Sequence, residues 1–271
     1  MGVRIATWNV NSAKQRVPRL LPWLDERRPD VVCLQETKVS DTAFAELLGD
    51  ALAGRGYQVA SHGEGQWNGV AILSRVGVED VVAGFSDQAE DEVVEARLLW
   101  ATCGGVRVGS VYVPNGRQVG SEHYRAKLEW LDRLNRHVEA TCDPLAPMVI
   151  CGDFNVAPLD IDVWDPTKLH GGTHVSPPER EAVAALERWG LVDVFRQLRP
   201  EPGIYSWWDY RAGDFHQGRG LRIDLVLATK PLAERAGFVL IDRFARKGKL
   251  PSDHAPVLVD FDVEPGEGFG S

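Results

Sequence analysis

Short apolar runs rich in Val and Ile recur along the chain at residues 3–8, 30–34, 69–73, 78–82, 106–113, 148–151, 223–227 and 255–261. Their length and β-branched content predict strands, several of them buried. Helical spacing shows elsewhere. Ser121 is placed to cap a segment in which Tyr124, Leu128, Leu131, Leu134 and Val138 form one apolar face. Ser176, followed by Pro177 and Glu179, forms a capping-box signature, and Gly190 ends that helix after Val183, Leu186 and Trp189. Residues 41–52 predict a further helix. Residues 16–27 predict another, although Pro22 removes a hydrogen bond one turn into it. No tandem repeat is evident, which argues against a solenoid or propeller. Strands outnumber helices, and so many half-buried strands are satisfied by two face-to-face sheets with the helices outside, an α+β architecture. One folding unit over residues 1–263 is expected, with 264–271 as a frayed tail.

Composition leaves this picture intact. The chain of 271 residues is 44% hydrophobic and 25% charged, as ordinary globular proteins are, and is long enough for a large core. No run approaches the roughly 18 apolar residues of a membrane-spanning helix. The start turns directly into a strand pattern without a signal-peptide core, so a cytoplasmic location is expected. Cys33 and Cys151 stand inside apolar strands as small hydrophobes, and no Cys-x-x-Cys spacing occurs, so neither disulfides nor structural zinc is expected. The net charge of −9 taken alone disfavours a polyanion as partner. A metal site needs carboxylates of its own, however, and the local field decides what binds.

Polar residues repeatedly end the predicted strands: Trp8-Asn9-Val10-Asn11, Gln35-Glu36, Tyr112-Val113-Pro114-Asn115 and Gly152-Asp153-Phe154-Asn155, with Ser252-Asp253-His254 preceding the last strand. Each such residue alone is most often turn chemistry or a solvated charge. Their shared placement points to one composite site, because strand ends hold side chains rigidly around a cleft. Asn9, Glu36, Asp153, Asn155 and Asp253 are hard oxygen donors, suited to magnesium or manganese rather than zinc. His254 can move protons near neutral pH, particularly if Asp224 fixes its tautomer.

The ordered set Trp-Asn-Val-Asn, Leu-Gln-Glu-Thr-Lys, Asn-Gly-Val-Ala-Ile-Leu-Ser, Val-Tyr-Val-Pro-Asn-Gly, Gly-Asp-Phe-Asn, Gly-Leu-Arg-Ile-Asp and Ser-Asp-His-Ala-Pro resembles the exodeoxyribonuclease III family, within the endonuclease/exonuclease/phosphatase superfamily, over residues 5–257. The resemblance implies a four-layer αββα sandwich with mostly antiparallel sheets and a site at one edge. It implies a metal, Mg2+ with Mn2+ as substitute, held by Asn9 and Glu36 with Asp253 as an additional ligand and Asp153, Asn155 and His254 around it. Asp153 would be the general acid/base, Asn155 would orient water or stabilise developing charge, His254 supported by Asp224 would contact the scissile phosphate, and Tyr112 would add its phenol. Whether Asp153 or His254 activates water stays open.

The implied activity is hydrolysis of duplex DNA, with incision 5′ to abasic sites, 3′-to-5′ exonuclease action and cleaning of 3′ ends. Trp207, Leu221 and Ile223 match the apolar pocket that takes a baseless sugar, which loses little stacking when extruded. Asn11, Lys38, Asn115, Arg117, Arg211, Arg219 and Arg222 are the candidate DNA contacts, and Arg243, Arg246, Lys247 and Lys249 make the segment before Ser-Asp-His locally basic. Two segments depart from the pattern. Residues 156–175 contain Asp160, Asp162, Asp165, His170 and His174, which could shape the DNA path, bind a second ion or form an elaborated loop; residues 84–92 are acidic. The rival readings are a phosphatase or lipid phosphodiesterase of the same superfamily, and a silent nucleic-acid-binding module. No segment advertises a protein interface, so a monomer without a protein partner is expected.

Overall fold

Side chains alternate across a strand, so the inner and outer members of each strand reveal what lies on either side of it. The computed structural model describes residues 2–87 and 95–266. The expected frayed end from 267 onward and the acidic stretch from 88 onward therefore lie outside the described residues. In chain order the elements are β1 (Val3–Asn9), α1 (Ala13–Arg27), β2 (Val31–Gln35), α2 (Asp41–Ala53), β3 (Gln58–His62), β4 (Val70–Ser74), β5 (Glu79–Ala83), β6 (Leu98–Cys103), β7 (Val106–Tyr112), α3 (Glu122–Thr141), β8 (Met148–Asp153), α4 (Pro166–Leu169), α5 (Pro177–Trp189), β9 (Leu191–Asp193), α6 (Val194–Leu198), α7 (Asp214–Gln217), β10 (Asp224–Thr229), α8 (Lys230–Ala233), β11 (Ala236–Ile241) and β12 (Val257–Phe261).

They form two six-stranded sheets of order β11-β12-β1-β2-β4-β3 and β5-β6-β7-β8-β10-β9. Only β1 with β2 and β7 with β8 pair in parallel; the other pairs are antiparallel. Val3, Ile5, Cys33, Ile72, Val108, Cys151 and Val226 meet in the core between the sheets. Ala6, Trp8, Val32 and Leu34 point the other way, onto Leu20, Trp23 and Leu24 of α1 and Phe44, Leu48 and Leu52 of α2. On the far side Leu98, Trp100, Ile150 and Leu225 pack on Leu131 and Leu134 of α3 and Val183 and Leu186 of α5. The result is the α+β, four-layer αββα sandwich. Among the described residues no helix is long and apolar enough to cross a membrane.

All eight predicted strands and four predicted helices form, with ends shifted by a few residues. Strands β3, β6, β9 and β11 were absent from the hydrophobic pattern. β3 is a sheet edge with exposed or half-exposed residues and β9 has only three residues, so neither has a long apolar run, whereas β6 and the edge strand β11 are themselves largely apolar. Helix α1 continues through both Pro18 and Pro22 because its buried face, with Trp23 5.3 Å from Trp8, outweighs the lost hydrogen bonds. The face of α3 differs by one position: Lys127, not Leu128, is the fully buried residue.

One predicted DNA contact is corrected. Arg222 is 0% exposed, and its guanidinium is held by Asp162 and, at 2.7 Å, by Asp193. Asp162 is shared with Arg196, at 2.6 Å. A fully desolvated arginine committed to two carboxylates has no donor to offer DNA. The same contacts use Asp162, so this member of the 156–175 segment ties that loop to the end of β9 instead of completing a second ion site.

The cysteines carry a test of the layering. Cys33, Cys103 and Cys151 are buried and Cys142 is half-buried, all as free thiols. Burial pushes the Cys33 thiol well up and that of Cys103 up to about 11, and burial also raises Cys142. Since the thiolate is the reactive form, a thiol reagent applied to native protein should modify at most Cys142, with the remaining three reacting only in denaturant. Rapid labelling of Cys33 or Cys151 in native protein would contradict the packed inter-sheet core.

Candidate active site

The inner face of each sheet is apolar along most of its length and turns polar at one end. In β1 the inward series Val3, Ile5 ends in Thr7 and Asn9; in β8 Val149 and Cys151 are followed by Asp153; in β10 Asp224 precedes Val226 and Ala228. Register brings these ends together. Tyr112 of β7 and Asp224 of β10 both pair with Asp153 of β8, while Asn9 of β1 pairs with Gln35 of β2, just before Glu36. A Cβ at Gly152 would lie 1.9 Å from the Val111 carbonyl oxygen, so the residue preceding Asp153 must be glycine for β8 to lie against β7.

The side chains interlock across the two sheets. Asn9 Nδ2 donates to Glu36 Oε1 at 2.7 Å and to Asp153 Oδ2 at 2.9 Å. Asn155 donates its backbone N–H to Asp153 Oδ1 at 2.9 Å and its amide to Asp153 Oδ2 at 3.2 Å and the Val113 carbonyl at 3.0 Å. His254 Nδ1 donates to Asp224 at 2.9 Å, which leaves Nε2 3.7 Å from Asp153 Oδ2. Ser252 holds the His254 segment in place, donating to the Asn9 carbonyl at 2.7 Å and accepting the His254 N–H. Asn11, Glu36, Lys38 and Asn155 all have positive φ, a conformation non-glycine residues rarely adopt and one that persists where the surroundings impose it.

Charge follows from this crowding. Burial, then the Asp224 and Glu36 carboxylates, raise the Asp153 carboxyl to about 7 against the opposing pull of His254. Burial alone would lower His254, but Asp224 and Asp153 outweigh it and hold the imidazolium up to about 10. Burial and the neighbouring Glu36 and Asp153 carboxylates keep the Tyr112 phenol protonated far above its usual range, and the Arg97 guanidinium stands 4.7 Å from its ring centre.

Ligand atoms of Glu36, Asp153 and His254 lie within 4.8 Å of one another. A buried Asp153 carboxyl raised by the carboxylates beside it, with the half-buried Glu36 oxygens and the other oxygen donors close by, fits a hard divalent cation. Asp253 stands outside this group. One of its oxygens accepts from Asn11 at 2.9 Å and the other from the Trp207 indole at 3.1 Å. Burial would raise its carboxyl, but His254 and those two donors hold it below the ordinary range.

The remaining predicted residues differ in burial and partners. Lys38 bonds Asn11 and Glu36, each at 2.7 Å, and Lys38 and Asn11 line a cavity of about 600 Å³ with Arg16, Gln66 and Tyr210. Asn115 donates to Asn155 Oδ1 at 3.1 Å, and Arg117 and Arg211 are exposed. Arg219 pairs with Asp214 and lies over Trp164. In the basic segment Arg246 is buried against Tyr210 and Phe215, and Arg243 lies over Trp208, so part of that charge is packed into the fold. Trp207 is half-buried over Leu221 and Ile223, which are 5% and 2% exposed and join Ala157, Val163 and Val175 in a small core.

Two further residues support the centre: His174, named above only as a member of the irregular 156–175 segment, and Lys127, which was not named from the sequence. His174 donates from Nδ1 to the Asn155 carbonyl at 2.6 Å, with its ring 6.3 Å from Trp207. Lys127 reaches the same carbonyl from α3 at 2.6 Å. A lysine three residues after Tyr124 and four before Leu131 was the available clue, since that spacing puts it on the buried face.

Known proteins resemble this chain in sequence and fold. The profile of the Endonuclease/Exonuclease/phosphatase family matches residues 6–254. The chain is 34% identical to exodeoxyribonuclease III of Haemophilus influenzae, covering 96% of this chain and 100% of that one. Among solved structures it resembles an AP endonuclease from Archaeoglobus fulgidus, at 42% identity and a TM-score of 0.90 over 96% of this chain and 100% of that one. It also resembles the 3′ phosphatase NExo from Neisseria bound to a product DNA hairpin, at 38% identity and a TM-score of 0.90 with the same coverage. The chain belongs to the endonuclease/exonuclease/phosphatase family and, within it, to the exodeoxyribonuclease III branch of hydrolytic nucleases.

Proposed function

We propose that the protein hydrolyses phosphodiester bonds of duplex DNA in a Mg2+-dependent reaction, incising 5′ to abasic sites and removing nucleotides or blocking groups from 3′ ends. The observation that carries this reading is the convergence of Asn9, Glu36, Asp153, Asn155 and the His254–Asp224 pair at one end of the sandwich. The names of the relatives, an exodeoxyribonuclease, an AP endonuclease and a 3′ phosphatase bound to DNA, agree with it.

Glu36, with Asp153 and Asn9 beside it, would hold the cation, which when bound supplies positive charge to a phosphoryl oxygen. The protein's own groups divide the proton work. Asp153, poised near neutrality, accepts a proton from the attacking water at the carboxylate oxygen not turned to His254. His254, held as an imidazolium by Asp224, donates from Nε2 to a non-bridging phosphate oxygen, where negative charge grows in the transition state. Asn155 fixes the Asp153 carboxylate through two donors, and the Tyr112 phenol, which stays protonated, is a further donor at the same centre. Asp253 orients Trp207 against the buried Leu221 and Ile223, and the exposed part of that indole is the surface on which a baseless sugar would rest. Asn11, Lys38, Asn115, Arg117, Arg211 and Arg219 would meet the flanking backbone, a role supported by the exposure of Arg117 and Arg211 and by the bonds of Asn11, Lys38 and Asn115 to residues of the centre or its rim.

The test is cleavage of an end-labelled duplex holding one abasic-site analogue, beside an intact duplex, with magnesium or with a chelator. Magnesium-dependent incision immediately 5′ to the lesion is expected, and the chelator should abolish it. Release of phosphate from small phosphoesters without any DNA cleavage would instead identify a phosphatase.

A further inference from the structure

Helix α3 carries a lysine where its pattern calls for an apolar residue. Lys127 and Glu179 of α5 are both 0% exposed and paired. The ammonium has three partners: Glu179, the Asn155 carbonyl at 2.6 Å and the Asn115 carbonyl at 3.3 Å. Glu179 is as fully used, accepting the backbone N–H groups of His174 and Ser176, each at 3.0 Å. The capping box at the start of α5 thus doubles as the counter-charge for a cation that grips the two loops bearing Asn115 and Asn155. The surroundings are shaped for the lysine stem, since a Cβ at Gly116 would come within 2.8 Å of Lys127 Cδ.

Asn155 is the residue whose carbonyl is gripped, and it has φ of 53°. In that conformation its N–H and side-chain amide both turn to the Asp153 carboxylate while its carbonyl points away, toward Lys127 and His174. With the carbonyl held, the backbone of Asn155 is fixed in this conformation; released from it, the residue could relax and draw its side-chain amide and the adjoining N–H off Asp153. We infer that Lys127 is a positioning residue of the nuclease reaction: by clamping the Asn155 carbonyl from the outer helix layer, it sets the orientation of the Asp153 carboxylate without touching substrate. The inference rests on the nuclease reading above.

The function fits the chemistry of the group. An ammonium offers three donors from a single point and can satisfy a carboxylate and two carbonyls at once. An apolar side chain would fill the space but would remove the lysine donor from both loop carbonyls, leaving that of Asn155 to His174 alone, and misplacement of a catalytic group by about 1 Å can cost about 10²-fold in rate.

Removing only one charge from a buried pair also destabilises the fold, so activity must be separated from stability. Three variants do this: Lys127→Met, Lys127→Arg, and Lys127→Met combined with Glu179→Gln, each assayed for DNA cleavage and thermal unfolding beside the wild type. We expect Lys127→Met to lose about 10²-fold in kcat with KM within threefold, and Lys127→Arg to stay within tenfold of wild type. The double variant should regain most of the lost Tm while kcat stays as low as in Lys127→Met. Recovery of kcat together with Tm in the double variant, or an arginine variant no faster than the methionine one, would overturn the inference. Wild-type protein that fails to cut DNA would instead refute the nuclease reading.

Discussion

Replacing Asp153 by Asn should lower kcat for DNA cleavage by about 10³-fold, the range lost when a positioned proton acceptor is removed, while DNA binding stays measurable. The amide keeps the size of the side chain and can still meet Asn9 and Asn155, but it cannot take a proton. The same substitution should raise the thermal stability of the metal-free protein. The Asp153 carboxyl is held up at about 7 from an ordinary 3.8, so the folded state binds its proton more tightly than the unfolded chain. Ionisation therefore opposes folding across that interval by about 1.4 kcal/mol per pH unit, and the penalty is complete above pH 7. An Asn variant escapes it. Calorimetry at pH 8 in chelator, set beside single-turnover cleavage in magnesium, checks both halves. Undiminished turnover would remove Asp153 from the proton-transfer role. A lower Tm would mean that its carboxylate is held favourably.

The second large effect concerns stability away from the centre. Asp162→Asn should destabilise the fold by about 3–5 kcal/mol, because it leaves the buried Arg222 guanidinium short of a counter-charge. For a chain of this size that lowers Tm by about 10 °C. Burial would raise the Asp162 carboxyl, but Arg222 and Arg196 hold it below its ordinary value. A depressed folded pKa means that the unfolded chain takes up the proton first. The contribution is therefore fully present above about pH 4 and is lost as pH falls through the folded pKa. The variant should show a shallower loss of stability in acid than the wild type does. Arg222→Met supplies the complementary result: Tm falls, but the salt dependence of DNA affinity is unchanged, since no phosphate contact has been removed. A reduced salt slope would return Arg222 to the DNA surface.

These two sites show why polar residues of similar appearance in sequence end in different roles. Asp153 ends β8 and Asp162 lies in the loop-rich segment that follows it. Asp153 stands at the inner face of β8 among other carboxylates, with a single histidine to balance them. Asp162 stands where two arginines converge. The first arrangement leaves negative charge for a cation and a substrate; the second cancels it. Net charge could not make that distinction, because it counts both carboxylates alike.

The alternation of side chains along β1, β8 and β10 was legible from the sequence, and so was its outcome. Once Ile5 and Cys151 face the other sheet, period two places Asn9 and Asp153 on the same inner faces, and the capping residues Ser121 and Ser176 mark where the outer helices begin. Motif order along nearly the whole chain pointed to the family in the same way. Edge strand β3 is not marked by hydrophobicity because most of its residues reach solvent and need no apolar series. Only the tertiary structure could assign partners. Whether Arg222 meets phosphate or carboxylate, whether Asp253 turns to a metal or to Trp207, and whether Lys127 is solvated or clamps Asn155 all depend on residues between 28 and 60 positions apart in the chain. Charge pairing is decided by distance and burial in space, and neither quantity is written in local spacing.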